Sequence, residues 1–269
     1  MILVELAKLG RRPRSWVSVG LLCGLPALVA IFLAVTNLGP APGEDPAFLS
    51  AVLANSALFP AAALAIVLPI FLPVAVAVVG GDAIAGEASS GMLRYLLLRP
   101  VGRTRLLVAK LVSLVAFVLV AVVAVAASSY VVGVALFPSD PTSTTSVSGA
   151  TLTTTELVLR TGAAVIYVAV SMLGVGAIAV FLSTVTDSSL GATFVALAVL
   201  VASQVFVTLD ASGAIRPYLP TRYWLAWIDL YREPILWRDI ERGLAIQAVY
   251  VGVFLAMAWA NFATKDIKS

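Results

Sequence analysis

The sequence predicts an all-α membrane protein of six transmembrane helices, with an interfacial helix ahead of them and short helices at the outer interface between the fifth and sixth. Three observations predict it. Apolar residues make up 61% of the 269 and charged residues 12%, where soluble domains carry about 25% charged. Six apolar runs each reach the roughly 20 residues that a helix needs to cross the hydrocarbon core. The basic residues gather in the N-terminal tail and in one loop. A soluble fold of this length could not hide so much apolar surface, so lipid is the solvent for most of the chain.

The chain reads as one transmembrane domain over residues 1–269. Residues 1–14 are the interfacial helix, with Ile2, Leu3, Leu6 and Leu9 on one face and Glu5, Lys8 and Arg12 on the other. The spans follow at about 16–36, 57–80, 106–136, 161–182, 190–209 and 243–263. The first is longer than the apolar core of a cleaved signal peptide, and no clear small-residue cleavage site follows it. Five connections put both termini on one side. Lys8, Arg11, Arg12 and Arg14, the loop after the second span, and Lys265 and Lys268 make that side cytoplasmic. The other side carries no Lys or Arg in 37–56 and only Arg160 in 138–160. The Ser/Thr-rich stretch 139–155 reads as a mobile outer loop. Residues 210–242 mix balanced charges with Tyr223, Trp224, Trp227, Tyr231 and Trp237, which suits aromatic anchors at the outer interface.

Several chemistries are excluded. The chain has no histidine and one cysteine, Cys23, so an internal disulfide, a Cys-cluster metal site and His-based acid–base or zinc chemistry are absent. No metal site is expected. No GxxxxGK[ST] phosphate loop is present, so energy for work must come from another polypeptide or an ion gradient. The spans lack paired carboxylates, which weakens the gradient option.

Residues 82–105 form a cytoplasmic loop within a charged stretch, 82–110. Asp82 and Glu87 open it, and Arg94, Arg99, Arg103, Arg105 and Lys110 follow. Seven residues separate Glu87 from Arg94, which puts them on one face of a surface helix, with Met92, Leu93, Leu96 and Leu97 as an apolar docking face. The plain alternative is a pair of solvated acids. Pro100 and Gly102 break the helix, and the third span starts near Thr104 as N-cap.

The order of acid, small residues, Glu, Gly, a Leu-rich turn, Arg-Pro-Val-x-Arg, Leu-Leu and Lys falls on Asp82, Glu87, Gly91, Leu93, Arg99, Pro100, Val101, Arg103, Leu106, Leu107 and Lys110. It resembles the first cytoplasmic loop of ABC-2 type transporter permeases. Six spans and an amphipathic N-terminal helix agree with that family along nearly the whole chain. Among its subgroups the chain is most similar to the one holding the membrane subunit of the copper-processing nitrous-oxide-reductase system and several sodium or drug exporters. The resemblance implies a permease subunit of a prokaryotic plasma membrane, exporting rather than importing, and not an enzyme. It implies pairing with a second copy or a sister permease, and a separate pair of ATPase subunits that hold ATP and Mg. The helix after Asp82 would be the coupling helix, with Asp82, Glu87, Gly91, Leu93, Arg94, Arg99, Pro100 and Arg103 as the ATPase-coupling set. No cofactor belongs to the chain itself, and nucleic acid is not an expected partner.

Within the spans, Pro69 and Pro73 should bend the second helix, as a hinge beside a translocation path or as packing curvature. Gln204 is the most polar side chain deep in the fifth span, either substrate-facing or hydrogen-bonded to a neighbouring helix. Gly20 and Gly24 form a GxxxG, read as close packing within one subunit, with dimerisation as the alternative; Gly174 and Gly176 thin the fourth span. Two rival functions remain. A membrane enzyme would need the acids of 210–242, which arginines balance. A non-transporting scaffold would pass ATPase motion to an extracytoplasmic partner through 139–155 or 210–242.

Overall fold

The computed structural model describes residues 1–36, 55–91, 102–137, 144–145, 151–209 and 213–264. It is an all-α bundle. The helices are α1 (Ile2–Arg11), α2 (Pro13–Thr36), α3 (Phe59–Val67), α4 (Phe71–Ser89), α5 (Arg103–Leu136), α6 (Thr154–Val185), α7 (Ser189–Thr208) and α8 (Trp237–Thr264). A two-residue antiparallel pairing, β1 (Thr144–Thr145) with β2 (Thr151–Leu152), precedes α6. Six helices, α2 and α4 to α8, are long and apolar enough to cross a membrane.

The helices run past the apolar runs that announce them. α6 begins at Thr154 because Thr153 and Glu156 form a reciprocal capping box, the Thr153 side chain taking the Glu156 amide and the Glu156 carboxylate taking the Thr153 amide. α8 begins at Trp237, six residues ahead of the apolar run, through Arg238, Asp239, Glu241 and Arg242. α5 opens at Gly102 without a side-chain cap. Thr104 instead accepts the Trp259 indole N–H at 3.1 Å, tying α5 to α8. With 34 residues, α5 is about 51 Å long at 1.5 Å per residue, well beyond the hydrocarbon core.

The second apolar run is two helices rather than one bent helix. α3 ends at Val67, Leu68–Ile70 form a turn, and α4 starts afresh at Phe71. The cause is the spacing of the prolines. Pro73 has no N–H for the carbonyl of Pro69, and Pro69 has none for Ala65, so consecutive turns of the ladder are missing. α4 then runs on to Ser89, so residues 82–89, expected in the loop after the span, continue the spanning helix.

α6 is the centre of the bundle and packs against α4, α5, α7 and α8, while α2 leans on α5 at the edge. Small residues make this possible. A side chain at Gly176 would collide with Leu114 of α5, one at Gly80 with Ala179 of α6, and one at Gly174 with Gln247 of α8. Gly20 and Gly24 behave differently, since nothing lies within 4 Å of where their side chains would begin. The expected close packing within the subunit is therefore absent at that GxxxG, because α2 turns Val19, Leu22, Ala30 and Leu33 into the core instead. Exposed faces are apolar, as lipid contact requires: Leu21, Leu28 and Phe32 on α2, and Val249, Val253 and Met257 on α8.

Candidate functional site

Met1 and the end of α8 lie at the end of the bundle where α4 stops and α5 begins. There, six charges from three helices and the α1–α2 junction form an ionic clamp. Lys110 of α5 reaches Glu5 of α1 at 3.0 Å and also bonds Glu87 of α4. Lys8 of α1 bridges Glu5 at 2.8 Å and Glu87 at 3.1 Å. Beside them, Arg12, the residue that follows α1, pairs with Asp82 of α4 at 2.7 Å. The side chains of Glu87, Lys110 and Glu5 are only 3%, 5% and 7% exposed. Removing one partner of such a buried group leaves an uncompensated charge, at a cost of about 3–5 kcal/mol. Glu87 is the most buried member, and its second carboxylate oxygen is buried without a hydrogen-bond partner, so the two lysines on the first oxygen carry its whole compensation. Gly86 makes room for the Asp82 carboxylate, which lies where a Gly86 side chain would start.

Burial pushes the Glu5 carboxyl up, but hydrogen bonds and charge from Lys8 and Lys110 outweigh it, and the group titrates below its ordinary range. For Lys8, burial pulls down while Glu5 and Glu87 pull up harder, leaving it above the ordinary lysine range. Each partner therefore stays ionised over a widened pH window.

This arrangement relocates two residues of the expected coupling set. Glu87 is not on the exposed face of a surface helix; it is 2% exposed and committed to Lys8 and Lys110. Asp82 is likewise committed, to Arg12. Gly91 ends α4 with φ at 71°, a left-handed conformation that glycine adopts without strain. Arg103 donates to the carbonyls of Phe262 at 3.3 Å and Ala263 at 2.9 Å, capping the end of α8. Leu93, Arg94, Arg99 and Pro100 lie outside the described residues. Sequence reasoning found α1 but missed its part in the site, the pairing of Glu5 and Lys8 with α4 and α5. Glu5 and Lys8 meet protein, while Ile2, Leu3 and Val4 point outward, Leu3 at 80% exposure, and Leu9 packs against the core.

The translocation-path candidates meet. Pro69, Pro73 and Gln204 line one cavity of about 260 Å³ between the α3–α4 break and α7, with Leu200, Val201 and the Trp224 indole completing the wall.

The opposite end is capped by residues 213–236, built from 3₁₀ turns at Arg216–Tyr218 and Ala226–Tyr231. Arg160 of α6 donates to the carbonyls of Leu230 at 3.0 Å and Arg232 at 2.9 Å, and to the Glu233 carboxylate at 2.5 Å. The Tyr167 hydroxyl reaches the Tyr223 carbonyl at 2.7 Å over Gly243, and Gln247 reaches the Pro220 carbonyl at 2.7 Å. Tyr231 shares a hydrogen bond with Thr161 at 2.8 Å. Burial carries its hydroxyl up to about 12, against the pull of Thr161 and Arg160. Tyr223, Trp224, Trp227 and Tyr231 are thus buried in protein instead of anchoring at an interface; of the five expected anchors only Trp237 is exposed. The reason is that aromatic side chains with a polar tip suit either setting.

No curated protein matches this chain closely enough to count as a relative. The family model for ABC-2 family transporter proteins matches residues 9–232, which takes in Asp82, Glu87 and Lys110 of the clamp, the break and most of the capping segment. With six apolar helices around a small-residue core and that match over most of its length, the chain belongs to the ABC-2 transporter family as a multi-pass membrane permease subunit.

Proposed function

We propose that the subunit is half of an exporter, paired with a second copy or sister permease around a translocation path and driven by a separate ATPase pair docked on residues 90–102. That ATPase holds ATP and Mg; this chain supplies no catalytic group. The clamp carries the reading. Residues 92–101 hang between Glu87 and Lys110, which are bonded to each other, and Arg103 ties the far side to α8. A push on this segment is delivered at once to α4 and α5, through Lys8 and Glu5 to α1, and through Arg103 to α8. Leu93, Arg94, Arg99 and Pro100 are the contact residues. Asp82, Glu87 and Arg103 transmit from behind, and Gly91 is the swivel.

The excess of basic residues at the clamp end, with Arg11, Arg12, Arg14, Arg103 and Arg105 around it, supports a cytoplasmic location in a plasma membrane. The open face at Gly20 and Gly24 supports pairing through α2, where two backbones can approach closely. The test is purification of the tagged subunit in mild detergent with mass spectrometry of what accompanies it. An ATPase carrying a phosphate-binding loop should be retained by wild type and lost when residues 92–101 are scrambled. A stable subunit without such an ATPase overturns the proposal.

A second reading, a scaffold that relays ATPase motion to an extracytoplasmic partner, draws on the capping segment, which is held firmly enough to carry a partner. Crosslinking of Tyr218 to such a protein in the absence of any flux would favour it.

A further inference from the structure

The cavity at the α3–α4 break has a polarity gradient along its length. Gln204 lies one turn from the end of α7, on the side nearer the capping segment, and it is exposed with no hydrogen-bond partner among the described residues. Across from it stands Pro69, whose carbonyl cannot receive the usual bond because the residue four positions on is Pro73. The bonds nearest the gap run from Leu68 to Leu64 and from Val74 to Ile70, so the ladder resumes only beyond Pro73. Farther along, the walls are Pro73, Val74, Leu197 and Leu200, with no polar group.

An amide and a carbonyl left unpaired in hydrocarbon each cost several kcal/mol. Whatever fills the cavity must supply both a donor and an acceptor at the Gln204 end. It must also be uncharged there, because no charged side chain lines the wall. The position fits a lipid-like molecule. Eleven residues of helix separate Phe71, at the foot of the break, from Asp82, or roughly 17 Å at 1.5 Å per residue, so the cavity sits in the half of the membrane away from the clamp.

We propose that this cavity binds a neutral amphiphile, with its hydroxyl- or amide-bearing headgroup against Gln204 and the Pro69 carbonyl and its acyl chain between α4 and α7. The molecule enters sideways, from the leaflet on the capping side. The inference rests on the permease reading for its meaning as a substrate site, but the binding itself does not depend on an ATPase.

The experiment uses the purified full-length subunit in phosphatidylcholine nanodiscs with a diazirine-bearing monoacylglycerol as probe. Photolabelled peptides should map to residues 69–74 and 197–205. Unlabelled monoacylglycerol should compete, while an alkyl phosphate of equal chain length should not. Gln204→Leu should weaken competition roughly tenfold, the worth of about one hydrogen bond to a polar headgroup. Val201→Trp, at a position already exposed, should fill the cavity and abolish the competed label. Label spread evenly over the lipid-facing side of α8, equal competition by the alkyl phosphate, or an unchanged Gln204→Leu variant would each overturn the proposal. An ATPase that copurifies while labelling fails removes only this inference. Competed labelling without any copurifying ATPase removes the permease reading and leaves the site.

Discussion

The two ends of the bundle are held by different chemistry. At the clamp end, side-chain charges meet side-chain charges: Lys110 with Glu5 and Glu87, Lys8 with both acids, Arg12 with Asp82. At the capped end, side chains of the spanning helices mostly hold backbone carbonyls: Arg160 on Leu230 and Arg232, Tyr167 on Tyr223, Gln247 on Pro220. A charge pair can be strained, screened or exchanged by a docking partner, whereas a carbonyl held by a buried donor has no competitor. The clamp end is built to receive motion, and the capped end is built to stay put.

The sharpest way to break this contrast is to remove the shared cation. Lys110→Met should destabilise the subunit by about 3–5 kcal/mol, read as a lower midpoint of unfolding in detergent, because Glu5 and Glu87 are left buried and underpaired. Replacing Glu5, Glu87 and Lys110 together by apolar residues should recover most of that loss, since a buried ionic group contributes little net stability over a well-packed apolar one. Loss equal to the single variant would show that Lys110 acts through packing alone. Glu87→Arg, attractive as a coupling mutant, would set a third cation beside Lys8 and Lys110 and unseat α1; Arg94→Glu is the cleaner probe of docking.

At the other end, Arg160→Met should cost about 1.5–3 kcal/mol and act locally. Amide exchange should accelerate across residues 226–236, which it holds, while α1 keeps its protection. Spread of the effect to α1 would mean that the two ends are not independent.

Proton concentration separates the ends next. The Glu5 carboxyl is held below its ordinary range, so it contributes stability that is complete above the unfolded value and lost as pH falls through the folded one. Lys8 is held above its ordinary range, so its contribution is complete below the unfolded value and lost as pH rises through the folded one. Amide protection of α1 should therefore be flat through neutrality and fall only below the ordinary carboxylate range of about 4 or above the lysine range of about 10. A loss of α1 protection near pH 6–7 would contradict this assignment.

The smallest effect concerns the seam between the ends. The Ser183 hydroxyl of α6 accepts from the amides of Ile84 and Ala85 at 3.0 and 2.8 Å. Ser183→Ala should cost about 1 kcal/mol without changing the clamp, measured by the same unfolding midpoint.

The sequence made the helices legible because twenty uncharged residues have only one stable state in lipid. Their ends were less legible, although the Thr153–Glu156 capping box was there to be read. The clamp was not legible, since Glu5 and Lys110 lie 105 positions apart and periodicity marks two faces of α1 without saying which meets protein. Ile2 and Leu3 face outward, as an interfacial helix requires; what spacing could not show is that Glu5 and Lys8 face α4 and α5 instead of water. The cavity was half legible: Pro69, Pro73 and Gln204 stood out as oddities, and only the break shows why they meet. The aromatic cluster at 223–231 was misread because burial and interfacial anchoring draw on the same side chains.

The most direct test of the account places one photocrosslinking residue at Leu93 and, in a separate variant, at Tyr218, which is 71% exposed at the opposite end. The account predicts a crosslink from Leu93 to an ATPase carrying a phosphate-binding loop, and none from Tyr218. An ATPase captured from Tyr218, or from neither position, would contradict the claim that the clamp end receives the motor.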